Sequence, residues 1–272
     1  MLRFERFTHR NGNAPFNVRH IIQCEVTGYV VEDILSVDDI DFLFNILNRT
    51  SENFIADLNY GNGYSVPYLF GSVYRSKPKE EVQRYFNTII PFLNAADEAG
   101  NTDVTRWIVN KIYMYFKPFE LRPLQGFLPY SFRVVLPGKG GLYLHQDGKL
   151  LPYIHEEVGN LIGQHILPDT MLSWYFTLRN PSKGGELWVA DSIYDNCIKE
   201  GQFTIKDPNG NIIAEEAMKH EVVETPAGSL LMFKGGTYWH KVIPPAAHDT
   251  ERVTLGGFAA LSTDEKSIYF WS

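Results

Sequence analysis

Two histidines and an aspartate are the residues of this chain whose types and spacing best suit metal chemistry. His145 and Asp147 lie in the run Leu-His-Gln-Asp-Gly, and His240 follows in Tyr-Trp-His-Lys-Val. Two imidazoles and one carboxylate hold non-haem Fe(II) on one face and leave the opposite positions open. On an extended strand, residues i and i+2 point to the same side, so His145 and Asp147 can reach one ion. An isolated His-x-Asp pair is more often a surface accident, and the prediction of an iron site therefore depends on the motifs around it.

An arginine after His240 is the second candidate. Arg252 and Thr254 lie in the run Arg-Val-Thr and share one face of a predicted strand. The guanidinium group matches a carboxylate through two parallel hydrogen bonds and does not lose its charge. Thr254 can add a hydroxyl to the same carboxylate. A single arginine on a strand more often forms a surface ion pair, so the residues alone leave both interpretations open.

The segment that carries these residues is predicted to form a series of short strands. Alternating or apolar runs that end at turns such as Asp-Pro-Asn-Gly are typical of strands. The predicted strands cover 131–136, 172–178, 187–190, 221–224, 230–233, 238–243 and 253–261. Many short strands favour a barrel or jelly roll over a parallel α/β sheet. A barrel can bring His240 beside His145 and Asp147.

Helical patterns dominate the chain before residue 120. Ser36 and Asp39 resemble a capping box at the start of a first helix. A second helix is predicted to start at Pro78, with Pro91 kinking or ending it, and Thr102 and Asp103 are predicted to open a third. We predict one domain over 1–272, with a largely helical N-terminal buttress (1–125) and a β catalytic core (126–272).

The order of motifs resembles that of a known enzyme superfamily. The motifs are His-x-Asp, Gly-Gly-x-Leu, Pro-x-Gly-x-Leu-x-x-Phe, His and Arg-x-Thr. Together they are similar to the Fe(II)/2-oxoglutarate-dependent dioxygenases. This resemblance implies a mainly β fold with N-terminal helices, built around a double-stranded β-helix (jelly roll) core. It also implies that His145, Asp147 and His240 bind Fe(II), and that Arg252, with Thr254, holds the far carboxylate of 2-oxoglutarate, with O₂ as the oxidant.

The resemblance narrows to one branch of that superfamily. The runs Phe-Lys-Gly-Gly-Thr-Tyr-Trp-His (233–240) and Arg-Val-Thr-Leu-Gly-Gly-Phe (252–258) are similar to the carrier-independent halogenases that act on indole alkaloids. Those halogenases have glycine where this chain has Asp147, and chloride binds iron there. With Asp147 present, the expected reaction is hydroxylation, or another oxidation such as desaturation, of a free small molecule, with succinate and CO₂ as co-products. The alternatives are a peptidyl (prolyl-type) hydroxylase and a non-catalytic, cupin-like ligand-binding jelly roll.

Composition limits the partners and the compartment. The chain has 25 Lys and Arg against 32 Asp and Glu, a net charge of −7, which disfavours nucleic acid as a partner. Two cysteines form no disulfide framework, and neither a signal peptide nor a membrane span is expected. A cytoplasmic protein with a small-molecule substrate is therefore predicted.

We expect a lid over 154–166 and pocket walls drawn from a set of aromatic residues, namely Phe132, Tyr143, Trp174, Phe176 and Trp239.

Overall fold

The structure is a computed structural model that describes residues 2–9, 17–57, 62–67, 76–151, 154–199 and 202–272. The α-helices within these ranges are α1 Arg19–Ile22, α2 Val37–Phe54, α3 Lys79–Gly100, α4 Val104–Ile112, α5 Asp147–Leu150 and α6 Glu156–Gly163. The strands are β1 Phe4–Thr8, β2 Gly28–Glu32, β3 Ala56–Asp57, β4 Gly63–Val66, β5 Glu120–Pro123, β6 Ser131–Val135, β7 Leu142–His145, β8 Leu172–Arg179, β9 Leu187–Ala190, β10 Asp195–Lys199, β11 Gln202–Lys206, β12 Ile212–Ile213, β13 His220–Val223, β14 Leu230–Phe233, β15 Trp239–Val242, β16 Arg252–Leu261 and β17 Ser267–Trp271.

The largest sheet runs through the middle of the molecule. Its strand order is β1-β2-β14-β8-β16-β6-β4-β3, and β17 and β5 extend it from β16. Neighbouring strands in its centre are antiparallel. Side chains alternate between the two faces of these strands, so the sheet has one face toward the helices and one toward the smaller sheet.

A four-stranded sheet, β13-β9-β15-β7, faces the large sheet. A cluster of buried apolar side chains lies between the two sheets and includes Val30, Leu231 and Phe233 from the large one and Leu187 and Val189 from the small one. Two sheets with antiparallel strands along the facing centre pack over a common interior and form the jelly roll that the sequence predicts. The mainly β fold with a jelly-roll core is therefore confirmed.

The helices cover the outer face of the large sheet. Leu43 of α2, Phe92 of α3 and Ile108 of α4 pack in one buried cluster with Trp174 and Phe176 of β8. Burying a side chain of this size contributes about 1.5–3 kcal/mol, so the helical layer and the sheet stabilise each other.

The helix predictions hold, with one exception. Ser36 accepts a hydrogen bond from the Asp39 N–H, and the Asp39 carboxylate accepts one from the Ser36 N–H, so α2 begins with the predicted capping box. Asp103 caps α4 through the Arg106 N–H. Pro91, however, lies inside α3, which continues to Gly100, so the helix does not end at this proline, and the alternative of a kink there stays a prediction.

The N-terminal part also contributes strands that the sequence analysis did not predict. β1 to β5 all join the large sheet, and β1 pairs with β2 in parallel. The division into a buttress and a core near residue 125 stays a prediction. Within the described ranges, no helix combines the length and the apolar character needed to cross a membrane.

Candidate metal centre

His145 and His240 lie on neighbouring strands. His145 is the last residue of β7 and pairs directly with His240 of β15, and the two ring centroids are 4.3 Å apart. Each ring nitrogen Nδ1 lies against a backbone carbonyl two residues earlier: His145 at 2.6 Å from Tyr143 O, and His240 at 3.0 Å from Tyr238 O. An Nδ1–H that donates to a carbonyl fixes the tautomer and leaves Nε2 as the metal-binding atom.

Asp147 completes the group from a different element. It is the first residue of α5 rather than part of the strand, but Gln146 before it is extended (φ −125°, ψ 123°). The Asp147 side chain therefore still meets the histidines, with Oδ1 3.4 Å from His145 Nε2 and Oδ2 3.4 Å from His240 Nε2. Ligand atoms of the three residues all lie within 4.8 Å of one another. The prediction that these residues come together is correct, whereas the single extended strand expected for His145 and Asp147 is not observed.

Two residues that the sequence analysis missed hold the carboxylate in place. Ser173 of β8 donates its hydroxyl hydrogen to Asp147 Oδ2, and the Asp147 N–H donates to Gly235 O at 2.9 Å. A Cβ at Gly235 would lie 2.0 Å from Ser173 Oγ and 2.5 Å from Asp147 Oδ2. Glycine is therefore required at this position by space. The run Lys-Gly-Gly-Thr before His240 was visible in the sequence, but its contact with Asp147 was not.

Burial and mutual charge set the protonation of the three side chains. Burial would raise the pKa of Asp147, but the charges of His240 and His145 and their hydrogen bonding hold it well below its usual range. Burial lowers the pKa of His240 to about 4, and the charges of His145 and Arg133 act in the same direction. Burial alone would lower the pKa of His145, but contact with Asp147 raises it. At neutral pH the centre therefore has one carboxylate and a neutral His240.

These donors fit a divalent iron ion. Two imidazole nitrogens and one carboxylate oxygen are the donor types that Fe(II) accepts in an open three-ligand site, and the ionised carboxylate favours a cation there. The side chains of Asp147 and His240 are 6% and 8% exposed, whereas that of His145 is 28% exposed, so the group opens toward solvent on the side of His145. Within the described part of the chain, it is the one such cluster of His, Cys, Asp or Glu residues.

Arg252 is buried in the same interior. It is 3% exposed, and its Nε and Nη2 atoms find no hydrogen-bond partner among the described residues. Its guanidinium carbon lies 4.9 Å from the ring centroid of Tyr175. A buried donor without a partner costs about 1–3 kcal/mol, so these atoms are placed to receive a ligand. The arrangement fits a carboxylate and excludes a surface ion pair.

The Gly-Gly-x-Leu motif packs against this arginine. Gly184 and Gly185 have φ angles of +80° and +82°, a backbone conformation that glycine adopts without strain. A Cβ at Gly185 would lie 3.4 Å from Arg252 Cδ. Thr254 is also buried and lies two residues farther along β16 on the same face.

The pocket walls predicted from aromatic residues are mostly wrong. Phe132, Trp174 and Phe176 are fully buried in the cluster between the sheet and the helices. Trp239 packs in a third cluster with Trp188, and Tyr143 is 60% exposed. The side chains on the interior face are instead the alternate ones, because Ser173 contacts Asp147 and Tyr175 contacts Arg252.

The predicted lid segment contains a helix. α6 covers Glu156–Gly163, with Val158 and Ile162 buried. Movement of this helix over the centre stays a prediction.

Comparisons with known proteins agree with this architecture. The profile of the family described as carrier-protein-independent halogenase WelO5 matches residues 8–272. A solved N-substituted L-amino acid dioxygenase from Burkholderia ambifaria AMMD is 16% identical over 93% of this chain and 89% of that one, with a TM-score of 0.56. The same dioxygenase in complex with alpha-KG aligns with 13% identity, the same coverage and a TM-score of 0.52. Comparison with curated protein sequences gives no match.

The family match covers almost the whole chain, whereas the sequence resemblance was clear only over about residues 130–272. The two dioxygenase structures support the fold. The resemblance read from the motifs is thereby confirmed, together with its implication that the protein is an enzyme that uses Fe(II), 2-oxoglutarate and O₂. The chain belongs to the carrier-protein-independent halogenase WelO5 family, within the Fe(II)/2-oxoglutarate-dependent oxygenases.

Proposed function

We propose that this enzyme hydroxylates an unactivated C–H bond of a free small molecule, an amino acid or an alkaloid-like natural product, with succinate and CO₂ as co-products. One observation carries the proposal: a carboxylate, Asp147, lies between two histidines, at the position where the halogenases that the motifs resemble have glycine. Ser173 donates a hydrogen bond to that carboxylate, and Gly235 O accepts the backbone N–H of Asp147. A position built around a carboxylate in this way favours oxygen transfer over halide binding.

The side chains of the chain have distinct tasks in this proposal. His145, Asp147 and His240 bind Fe(II), and the two backbone carbonyls behind the histidines keep Nε2 directed at the metal. Arg252 holds the far carboxylate of 2-oxoglutarate through its unpartnered nitrogens, and Thr254 lies on the same face beside it. Iron bound with 2-oxoglutarate and O₂ supplies the oxidation of the C–H bond.

The apolar wall behind the centre has a separate task. Phe233 packs edge-on against the His240 ring, with 4.9 Å between the ring centroids. With Leu231 and Val189 it forms an apolar side of the interior. An apolar wall keeps water away from the centre. This strengthens the electrostatic contacts inside the site and protects the reaction from water.

Substitution of Asp147 tests the proposal. In Asp147→Ala, we expect substrate-coupled succinate formation to fall by about 100-fold or more, since loss even of an outer contact to a metal ligand commonly costs 10–100-fold. Asp147→Gly, assayed with and without chloride, asks whether removal of the carboxylate admits a halide. Asp195→Ala is the matched control, because this carboxylate is exposed and pairs with Lys149. Full hydroxylase activity in Asp147→Ala would contradict the ligand assignment.

We also propose that the enzyme works in the cytoplasm. Fe(II) needs a reducing compartment, and Cys24 is exposed as a free thiol. The negative net charge supports a small-molecule substrate rather than nucleic acid. Cell fractionation tests the location, and recovery of the native protein from an oxidising, extracytoplasmic fraction would contradict it.

A further inference from the structure

A cavity lies beside the iron ligands, on the outer side of the small sheet. It measures about 530 Å³, within the range of roughly 300–1,000 Å³ that is usual for small-molecule sites. Its walls come from the start of α5, from the loop between β14 and β15, and from the segments 168–169 and 192–195. The three iron ligands do not line it, and neither do Arg252 and Thr254. The cavity is therefore separate from the centre described above.

Gln146 forms one wall of this cavity. It lies between His145 and Asp147 in extended backbone. Neighbouring side chains of an extended segment point to opposite sides, so the side chain of Gln146 points away from the metal. Its amide nitrogen donates to Thr237 O. Because a carbonyl oxygen can only accept, this bond fixes which end of the amide is the oxygen.

The amide oxygen of Gln146 is a buried acceptor without a donor. The residue is 4% exposed, and its Oε1 atom has no hydrogen-bond partner among the described residues. An unpaired acceptor is costly to bury, and a ligand in the adjacent cavity can supply the missing donor. The cavity therefore favours a ligand with an N–H or O–H group.

The charges around the cavity favour a cation. Lys149 and Asp195 pair at 3.0 Å, so these two charges match each other. The carboxylate of Asp169 forms no ion pair or side-chain hydrogen bond within the part of the chain that the structure describes. Its charge acts on Lys234, but that buried ammonium group donates to Ile22 O instead. A negative charge and an unpaired acceptor thus line the same cavity.

Another part of the wall is apolar and held in place. Tyr194 is 8% exposed; its hydroxyl oxygen accepts the Lys219 N–H at 2.7 Å, and its carbonyl oxygen accepts the indole N–H of Trp239 at 2.9 Å. Ile193 beside it is 55% exposed, so an apolar group of a ligand can cover it. A wall that is already ordered lowers the entropic cost of binding.

We propose that this cavity is a second binding site, separate from the iron centre, for a small molecule that has a primary ammonium group next to a short apolar body. The ammonium group donates to Gln146 Oε1 and pairs with Asp169, and the apolar body lies against Ile193 and Tyr194. An ammonium group has three donors and no acceptor, which suits a site that offers an amide oxygen and a carboxylate. A neutral alcohol would leave the charge of Asp169 unmatched.

Binding of two matched probes tests the inference. The compounds 2-phenylethylamine and 2-phenylethanol share one skeleton and differ in the ammonium group. Each is titrated by isothermal calorimetry, up to about 10 mM, into the enzyme loaded with Mn(II) in place of Fe(II). We expect the amine to bind about tenfold or more tightly than the alcohol. In Asp169→Asn and in Gln146→Met, the affinity for the amine is expected to fall to that for the alcohol.

Glu98→Gln is the matched control. Glu98 is exposed on α3 and does not line the cavity. Its substitution removes the same charge as Asp169→Asn and is expected to leave amine binding unchanged. Gln146 lies between two iron ligands, so Asp169→Asn is the decisive variant. The inference is overturned if the wild-type enzyme binds amine and alcohol equally or binds neither, if Asp169→Asn keeps the full amine affinity, or if Glu98→Gln loses as much.

A turnover measurement separates the cavity from the substrate site. The enzyme with Fe(II), 2-oxoglutarate and O₂ is assayed for succinate with and without 2-phenylethylamine. We expect the same rate in both, because the amine binds away from the iron. Succinate formation that increases with the amine would assign it to the substrate site of the iron centre and overturn the inference.

Discussion

His145 and His240 contact the same carboxylate but differ in their affinity for a proton. Asp147 raises the pKa of His145, whereas burial brings that of His240 down to about 4. A metal ion can bind only to the neutral imidazole, so a protonated ligand must first release its proton. The pH dependence of metal binding at this centre is therefore set mainly by His145.

We expect the affinity for Mn(II), used as a redox-stable substitute for Fe(II), to be constant above the raised pKa of His145. Below that pKa each metal ion displaces one proton, and the affinity falls by about tenfold per pH unit. His240 adds a second proton only as the pH approaches 4. Calorimetric titrations in buffers of different ionisation enthalpy measure the number of protons released. Release of two protons near pH 6 would contradict the assignment, and His165→Gln, a histidine against Tyr269 outside the centre, should leave the profile unchanged.

At this scale the sequence predicted which candidate ligands come together, but not the residues that support them. His145, Asp147, His240 and Arg252 were identified because imidazoles, a carboxylate and a guanidinium in a known order indicate metal and carboxylate binding. Ser173 contacts Asp147 from 26 residues away in sequence. A serine in an apolar strand has no pattern that marks such a contact, so it became visible only with the strand pairing.

The loop between β14 and β15 determines the position of Asp147. Gly235 lies in this loop, and its carbonyl oxygen accepts the Asp147 N–H. The next residue, Gly236, lies against Gly148: a Cβ at Gly148 would be 2.4 Å from Gly236 O. Two chain segments thus approach at backbone distance beside the metal centre. This close packing requires glycine on both sides.

Gly235→Ala tests this packing. The added methyl group would overlap Ser173 Oγ and Asp147 Oδ2, so Asp147 must move, and we expect metal affinity to fall by about 10–100-fold. Circular dichroism should show an unchanged fold. Gly163→Ala is the matched control, since its Cβ would meet nothing within 4 Å in α6. Equal metal affinities in the two variants and the wild-type protein would show that the loop does not position the carboxylate.

The bounds of the strands that were predicted are close to the observed ones. The face of the sheet on which their side chains lie was predicted wrongly. β8 reads Leu-Ser-Trp-Tyr-Phe-Thr-Leu-Arg and is almost entirely buried on both faces. Alternation of polar and apolar residues identifies the inner face only where the other face is in water. Here one face meets the helices and the other the interior, so the large aromatic residues were wrongly placed in the pocket. If the wrong face of a strand is taken as the inner one, residues of the core are assigned to the pocket and residues of the pocket to the core.

Tyr85 links the helical layer to backbone groups beside the large sheet. Tyr85 of α3 is fully buried and donates its hydroxyl hydrogen to Ser272 O at 2.7 Å, and the Tyr85 hydroxyl oxygen accepts the Leu128 N–H at 3.2 Å. Burial raises the pKa of Tyr85 well above its ordinary value, so the hydroxyl keeps its hydrogen.

Within the helical layer, Asp39 of α2 and Lys111 of α4 form an ion pair at 2.7 Å.

We expect Tyr85→Phe to lower the free energy of unfolding by about 1–3 kcal/mol, because two buried backbone groups lose their partner. If helices and sheet form one cooperative unit, urea unfolding followed by tryptophan fluorescence and by far-ultraviolet circular dichroism gives coincident transitions in both proteins. Tyr113→Phe is the control, since Tyr113 is 47% exposed. Transitions that separate in the wild-type protein would show that buttress and core unfold independently.

Over the whole molecule, the sequence predicted the class of fold better than the number of strands in its sheets. From residue 131 onward, β6, β8, β9 and β13 to β16 have short apolar runs and clear turns and were identified, whereas β10 to β12 and β17 were missed. β1 and β2 were missed because they are five residues long, pair in parallel and lie among helices. A short apolar run without a hairpin turn does not distinguish a strand from a helical segment.

The alternating faces of β6 and β8 have a consequence for how such an enzyme can change. Arg133, Ser173 and Tyr175 face the centre, whereas Phe132, Trp174 and Phe176 lie in the core against the helices. Substrate selectivity and folding therefore depend on adjacent residues of the same strands. A mutagenesis library restricted to odd-numbered positions from 131 to 135 and from 173 to 177 should yield new substrate preferences in well-folded variants, while the even-numbered library should yield mostly insoluble protein. Position 179 is left out because the pairing register shifts before it and Arg179 lies over the ring of Phe44 in α2.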